Sequence, residues 1–310
     1  MTKRIFIAGA AGLVGQNLIA QLQRSPGLEL IAADKHPHNT EVLARLHPEI
    51  QVLRADLSEP GEWEAIMATC DAVVMLQAQI GGLERGPFER NNIVATERIL
   101  AAASRGKQPY VVHVSSSVVN SLAHDLYTES KKRQEALVEV SALPHVILRP
   151  TLMFGWFDRK HLGWLRRFMQ KAPIFPIPGS GRYLRQPLYA GDFAAIIRAC
   201  LERRMTGAHN ISGLERIDYI DLIRLIRKVD GGHTPIIRIP VSLFALLLRT
   251  YALFDRDPPF TVAQLEALTT PDIFEVIDWP GLFGVTATPL REALEATFHD
   301  PKYSEVELRF

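Results

Sequence analysis

One stretch constrains this chain more than any other. An apolar run, Arg4–Ala8, ends in Gly9-Ala10-Ala11-Gly12-Leu13-Val14-Gly15, which opens an amphipathic pattern over Leu13–Arg24. Glycines allow a tight turn and a close approach to the backbone. A helix N-terminus beyond such a turn carries unpaired N–H groups and partial positive charge. Strand, glycine turn and helix together make a cradle for a pyrophosphate, in which Leu13 and Val14 sit with Gly9, Gly12 and Gly15 at the contact. The spacing is GxxGxxG rather than the commonest GxGxxG, and a plain connection can also be glycine-rich. The acid that follows selects the binding reading. Asp34 ends the second apolar run, 19 residues past Gly15. A carboxylate there accepts hydrogen bonds from ribose hydroxyls and repels a 2′-phosphate, which favours NAD over NADP. Lys35 works against that preference. Asp56 and Leu57, after the third run, either contact adenine or leave Asp56 as a helix N-cap.

Apolar runs at Arg4–Ala8, Leu28–Ala33, Gln51–Arg54, Ala72–Leu76, Tyr110–Ser115 and His145–Arg149 alternate with helical patterns such as Leu13–Arg24, Pro60–Ala68 and Phe88–Ser104. Strands alternating with helices predict an α/β fold, a doubly wound parallel sheet of Rossmann type. Ala72–Leu76 and Tyr110–Val114 are almost wholly apolar, as burial on both faces requires. Residues 1–150 are thus expected to form a dinucleotide-binding domain, with strands returning from the C-terminal half. Residues 151–310 are expected to form a smaller, mainly helical substrate lobe. In that half, residues 173–181, PIFPIPGSG, read as loop. Helices fit Gly191–Arg203, Tyr219–Lys228, Val241–Phe254, Val262–Leu268 and Pro289–Thr297.

Charge and cysteine usage remove other classes. With 35 basic and 34 acidic side chains, the net charge of +1 offers no footprint for nucleic acid. Two cysteines, Cys70 and Cys200, cannot form a disulfide scaffold, so a reducing, cytoplasmic setting is expected. The run after Lys3-Arg4 is too short for a signal peptide. No His/Cys/Asp/Glu group has metal-ligand spacing. The apolar segment 236–254 is interrupted by Arg238, Pro240 and Arg249, so it does not span a membrane. A buried or partner-facing helix is the preferred reading, with peripheral membrane contact as the alternative.

The fifth run ends in Ser115-Ser116-Ser117, and ten residues past Ser117 comes Tyr127-Thr128-Glu129-Ser130-Lys131. Tyrosine and lysine at i and i+4 share one helix face. A tyrosine titrating near ~10 is a poor base at neutral pH. A lysine ammonium beside it favours the phenolate. Such a tyrosine can take a proton from an alcohol, or return one to a ketone, while a serine hydroxyl holds the same oxygen. An exposed amphipathic helix would carry the same pair by chance; the order of glycine turn, acid, serine strand and pair favours chemistry.

With these residues in place, the chain resembles the extended short-chain dehydrogenase/reductase superfamily, in its NAD-dependent epimerase/dehydratase branch. The resemblance runs from Lys3 to about Gly213. It is carried by Gly9, Gly12 and Gly15, Asp34, Leu76-Gln77-Ala78, Asn92-Ile93-Val94-Ala95-Thr96, Ser115–Ser117 with Tyr127 and Lys131, and Leu148-Arg149-Pro150. The runs 185–192 and 210–213 complete it. The resemblance implies that Ser117, Tyr127 and Lys131 are catalytic. It implies that Leu76, Gln77 and Ala78 line the cofactor with Asn92 nearby, Tyr127 and Lys131 also touching it. Arg149, Trp156 and Arg185 would face the substrate, Arg185 as a diphosphate clamp. A nucleotide-sugar epimerase is the implied activity, and a homodimer the implied assembly.

This chain also departs from the branch. The segment between Ser117 and Tyr127 is unusually short, which leaves the substrate open. Val118-Val119 stand where sugar-nucleotide 4,6-dehydratases place Asp-Glu, which disfavours that reaction. His124 and Asp125 are turn and N-cap residues or extra acid–base groups. Trp156, Phe157, His161 and Trp164 are either an aromatic wall for the substrate or anchors of the small lobe. The alternatives are a reductase or dehydrogenase of a small or lipid-like alcohol, and a non-catalytic NAD-binding protein.

Overall fold

The computed structural model describes residues 2–251 except 123 and 159, then 265, 268, 269 and 275–309. The apolar runs form strands β1 (Lys3–Ala8), β2 (Leu28–Asp34), β3 (Gln51–Arg54), β4 (Ala72–Met75), β5 (Tyr110–Val114) and β6 (His145–Pro150). With the strand Gly207–Ile211 they make one seven-stranded parallel sheet, in the order Gly207–Ile211, β6, β5, β4, β1, β2, β3. The expected α/β doubly wound sheet is therefore present, completed by a strand from the C-terminal half. The order reverses between β1 and β4. Their C-terminal ends open the crevice where such sheets bind ligands.

Both faces of the sheet are buried, which explains why β4 and β5 have no polar side except at His113. On one face Ile5, Ile7, Val74, Val112 and Val146 pack under the helices Leu13–Leu22 and Ala190–Arg203. On the other, Phe6, Ile31, Val73, Val111 and Ile147 pack under the helices Glu62–Met67, Ala95–Arg105 and Leu126–Glu139. A further apolar cluster, with Phe154, Ile177, Ile223 and Leu294 among its members, lies among the C-terminal elements.

Three details differ from the sequence reading. The stretch 173–181 is not all loop, because Phe175–Pro178 is a strand paired in parallel with Ile236–Ile239. Phe175 and Gly179 donate their N–H groups to Pro235 and Ile239. By alternation the missing N–H groups of Pro176 and Pro178 fall on the unpaired edge, where proline is tolerated. The pattern Phe88–Ser104 is broken into a turn Arg85–Phe88, a π-helical turn Glu89–Val94 and the helix Ala95–Arg105. The helix Val241–Tyr251 is not buried: no residue from 241 to 250 is closed to solvent. The rest of the expected Val241–Phe254 helix, and most of Val262–Leu268, lie outside the described residues. Among the described residues no helix is long and apolar enough to cross a membrane.

Candidate active site

At the end of β1 the backbone needs glycine for a steric reason. Gly9 has φ +73°, and a Cβ there would stand 2.6 Å from the backbone nitrogen of Gln77. A Cβ on Gly15 would stand 2.3 Å from the Ala10 carbonyl oxygen. Gly9 thus brings the turn after β1 against the end of β4, and Gly15 seats the helix on the turn. Gly12 is different. Its φ is −81°, and a Cβ would meet only the Gly9 carbonyl at an ordinary 3.6 Å. The protein itself has room for a methyl there, so glycine at this position suits close approach of a ligand's phosphates to the backbone. The helix Leu13–Leu22 has no side-chain cap and no acidic residue in its first turn. Its N-terminal field therefore faces the crevice unneutralised, and this donor set fits a pyrophosphate.

Asp34 braces that turn. One carboxylate oxygen accepts from the Ala11 N–H at 3.0 Å, the other from the His36 N–H at 3.0 Å. Lys35, which argued for NADP, is held by Asn91 at 2.5 Å and by Asp56 at 3.6 Å. Asp56 also accepts from the Ser58 N–H and hydroxyl. Burial pushes its carboxyl up, but the Ser58 bonds and the Lys35 ammonium outweigh this and hold it low. Asp56 shapes a turn and neutralises Lys35; the helix that follows is capped at Gly61. Leu57 is buried in the sheet's core.

At the end of β4, Leu76 donates its N–H to Ala8. Gln77 reaches Thr96 through its amide, and Ala78 continues the chain toward Gln79. Asn92 is fully buried and clamps this segment: its side chain accepts from the Gln79 N–H at 2.6 Å and donates to the Ser130 hydroxyl at 2.8 Å. Asn92 thus ties the β4 loop to the helix that carries Tyr127 and Lys131.

That helix, Leu126–Glu139, is capped by Asp125, which accepts from the Tyr127 and Thr128 N–H groups. Asp125 is therefore an N-cap, as one of the two sequence readings had it, and His124 beside it is exposed against Glu129. The serine whose side chain acts on the Tyr127 phenol is Ser116, which draws its pKa down against burial, while the Ser116 hydroxyl accepts from the Val118 N–H. Ser117, the expected partner, opens a 3-10 turn, Ser117–Asn120, whose N-cap is Ser116. The consecutive serines were visible in the sequence. Which hydroxyl faces the tyrosine depends on how the chain turns as it leaves β5.

Lys131 is buried. Its ammonium donates to the Val114 carbonyl at 3.0 Å and to Gln134 Oε1 at 2.6 Å. Gln134 in turn donates to the Thr96 hydroxyl at 2.9 Å, which also accepts from Gln77. Lysine, two amides and a threonine thus link the helix to the segment after β4. Sequence reasoning missed Gln134, which shares the lysine's helix face only loosely at i+3. His113 is buried with both ring nitrogens unpartnered among the described residues, and desolvation and Lys131 keep it neutral. Burial pushes the Tyr127 phenol up, only partly countered by the Ser116 side chain. The expected lowering by Lys131 is absent from this arrangement, because the ammonium is turned to Val114 and Gln134.

Burial lowers the Lys131 pKa from 10.5 to about 7, with Glu135 opposing. Below that value folded and unfolded chains both hold the proton, and the fold carries the full cost of a buried ammonium. Between about 7 and 10.5 the unfolded chain holds a proton that the folded one has released, so stability rises with pH. The melting temperature of the wild type should therefore gain on that of Lys131→Met as pH rises from 7 toward 9. Scanning fluorimetry of both proteins checks this, and a constant gap would refute it.

The three residues assigned to the substrate are engaged elsewhere. Arg149 forms a two-pronged ion pair with Glu135, with contacts of 2.6 and 3.0 Å, tying β6 to the catalytic helix. Trp156 donates its indole N–H to Ala296 and packs on Tyr303 at 4.7 Å. It anchors the C-terminal segment. Arg185 donates to the carbonyls of Leu184 and Leu268. Among the described residues no cluster could hold a metal ion.

The fold and its glycine turn together define a dinucleotide-binding enzyme of Rossmann type. The sequence profile described as the NAD dependent epimerase/dehydratase family matches residues 5–212. The chain belongs to that family. Among curated proteins it is 23% identical over 243 residues to the ceramide reductase of Caulobacter vibrioides, covering 76% of this chain and 73% of that one. It is 24% identical to a dTDP-glucose 4,6-dehydratase of an Actinoplanes species, covering 74% and 82%. Among solved structures, UDP-glucuronic acid 4-epimerase from Bacillus cereus with UDP-glucuronic acid and NAD superposes with a TM-score of 0.70. That match is 22% identical and covers 94% of this chain and 97% of the other.

Proposed function

We propose that this enzyme is a nucleotide-sugar epimerase working by transient hydride transfer. The observation that carries the reading is Tyr127 and Lys131 one turn apart on the helix Leu126–Glu139, with Ser116, just past β5, acting on the phenol. NAD, when bound, supplies a hydride acceptor that returns the hydride. The chain's own residues handle the proton. Tyr127 exchanges it with a substrate hydroxyl, Ser116 holds the same oxygen, and Lys131 has a third N–H to turn toward the tyrosine or the nicotinamide ribose. Ser117 then serves the turn that positions Ser116. The pair Val118-Val119 gives no acid–base couple for eliminating water, so dehydratase relatives do not set the reaction. A cytoplasmic location and a homodimer through paired helices complete this reading; sedimentation equilibrium tests the latter.

Arg185 decides the substrate half of the proposal. Its acceptors include the neutral carbonyls of Leu184 and Leu268. A diphosphate offers charged oxygens to the same planar fork and makes stronger bonds. Arg185→Ala should raise KM for a UDP- or dTDP-sugar about tenfold with little change in kcat, because it removes binding shared by ground and transition states. An unchanged KM would remove the clamp from the reading.

A second reading is favoured by a specific observation: Arg149 and Trp156, the other two expected substrate contacts, are both engaged in structural bonds. A reductase or dehydrogenase of a lipid-like alcohol needs neither. The relative named a ceramide reductase supports this alternative. Incubating the protein with NAD and UDP-sugars separates the two. An epimer forming without net NADH supports the first reading, and NADH accumulating with a long-chain alcohol supports the second.

A further inference from the structure

The helix Val241–Tyr251 presents a physical problem. Residues 241–248 contain seven apolar side chains and one serine. A helix apolar on all sides is ordinarily buried. Here no residue from 241 to 250 is buried. Leu243, Leu246 and Leu247 stand at i, i+3 and i+4 on one face, and they are 44, 55 and 53% exposed. Val241 at the helix start is exposed as well, and so are Ile174 and Ile237 beside and within the strand pair that leads into it. So much apolar surface in one region marks a contact site.

The charges say what kind. From Gly231 to Phe254 the sequence holds no acidic residue, and its two charged side chains are Arg238 and Arg249. Both are exposed. At 100° per residue, Arg249 projects about 60° from Leu246, at the border of the leucine face. Arginine there can lay its stem along an apolar surface and keep its charge at a polar boundary. In a symmetric pairing of two copies, each arginine would tend to face a like charge across a self-complementary contact. An anionic lipid surface neutralises both arginines and accepts the leucines.

We propose that the helix Val241–Tyr251 docks the enzyme on the surface of a bilayer containing anionic phospholipid. The leucine face enters the headgroup boundary, and Arg238 and Arg249 meet the lipid phosphates. The helix lies on the membrane and does not cross it. This docking is independent of which substrate the active site takes.

Co-sedimentation of the full chain with vesicles tests it. Vesicles of phosphatidylcholine with about a third phosphatidylglycerol should bind the wild type at least tenfold more tightly than pure phosphatidylcholine, and less as salt rises. Replacing Arg238 and Arg249 together by Gln should weaken binding about tenfold or more, since each arginine contributes roughly fivefold near such a surface. Leu246→Glu with Leu247→Glu should abolish binding while leaving NAD affinity and melting temperature as in the wild type. The lipid comparison and the arginine pair leave the apolar face intact, so they read the docking even if the glutamate variant unfolds. Equal or absent binding to both vesicle types would overturn the proposal. So would a dimer in light scattering that the leucine substitutions dissociate, because the face would then belong to a second copy.

Discussion

Tyr127→Phe should lower kcat about a thousandfold, within the range that a positioned proton-transfer group contributes. The substitution removes one oxygen and nothing else. The ring is partly enclosed and keeps its contacts, so the packing survives. NAD affinity should therefore change by less than about twofold, because the glycine turn and Asp34 are untouched. Loss of kcat with retained NAD binding would place the phenol in the transition state. Equal losses in both would mean that the tyrosine holds the cofactor instead. The same measurement on Ser116→Ala and Ser117→Ala separates the two serines. The first should lose kcat and the second should not, since Ser116 is the serine whose side chain acts on the phenol. Full activity in Tyr127→Phe would end the enzymatic reading.

The second large effect concerns the glycine turn, where two chemically identical substitutions should differ in their effect on stability. Gly9→Ala puts a methyl 2.6 Å from the Gln77 backbone nitrogen and asks an L-residue to hold φ +73°. The strain alone costs about 1–3 kcal/mol, and the end of β4 must shift as well. The melting temperature should fall by several degrees, and NAD binding should be lost with it. Gly12→Ala has no such conflict, with φ −81° and its nearest neighbour at 3.6 Å. It should keep the wild-type melting temperature within about two degrees and still weaken NAD binding by more than tenfold, or about 1.4 kcal/mol. The methyl would stand where a pyrophosphate must approach the backbone. Calorimetric titration with NAD beside a thermal scan reads both quantities. Wild-type NAD affinity in Gly12→Ala would show that the cofactor's phosphates lie elsewhere.

The sheet was legible because its signals are local and redundant. Six apolar runs announced β1 to β6 to within a residue or two at each end. Burial on both faces forces such runs to be apolar throughout, and the turn after β1 requires its glycines on steric grounds. The helix Pro37–Leu46 escaped notice because its N-terminus is capped by His36 rather than by Ser, Thr, Asp or Asn, and it has no acid in its first turn. The strand Phe175–Pro178 was hidden by its prolines, whose tolerance depends on which edge of the strand is paired.

In the site the division is sharper. The sequence by itself determined the residue types and their order: a glycine turn, Asp34, a serine-ended strand, and Tyr127 with Lys131 one helical turn apart. Those are relations between near neighbours, which chain geometry fixes. The tertiary structure decided the partners. It set Ser116 against the Tyr127 phenol, turned Lys131 toward Val114 and Gln134, joined Arg149 to Glu135, and packed Trp156 against Tyr303. Each of these contacts is directional and joins separate elements, apart from the one-turn bond of Lys131 to Gln134. A hydrogen bond or ion pair forms only where packing brings donor and acceptor within about 3 Å. That distance is set by how the helix Leu126–Glu139 lies on the sheet, which no run of neighbouring residues encodes.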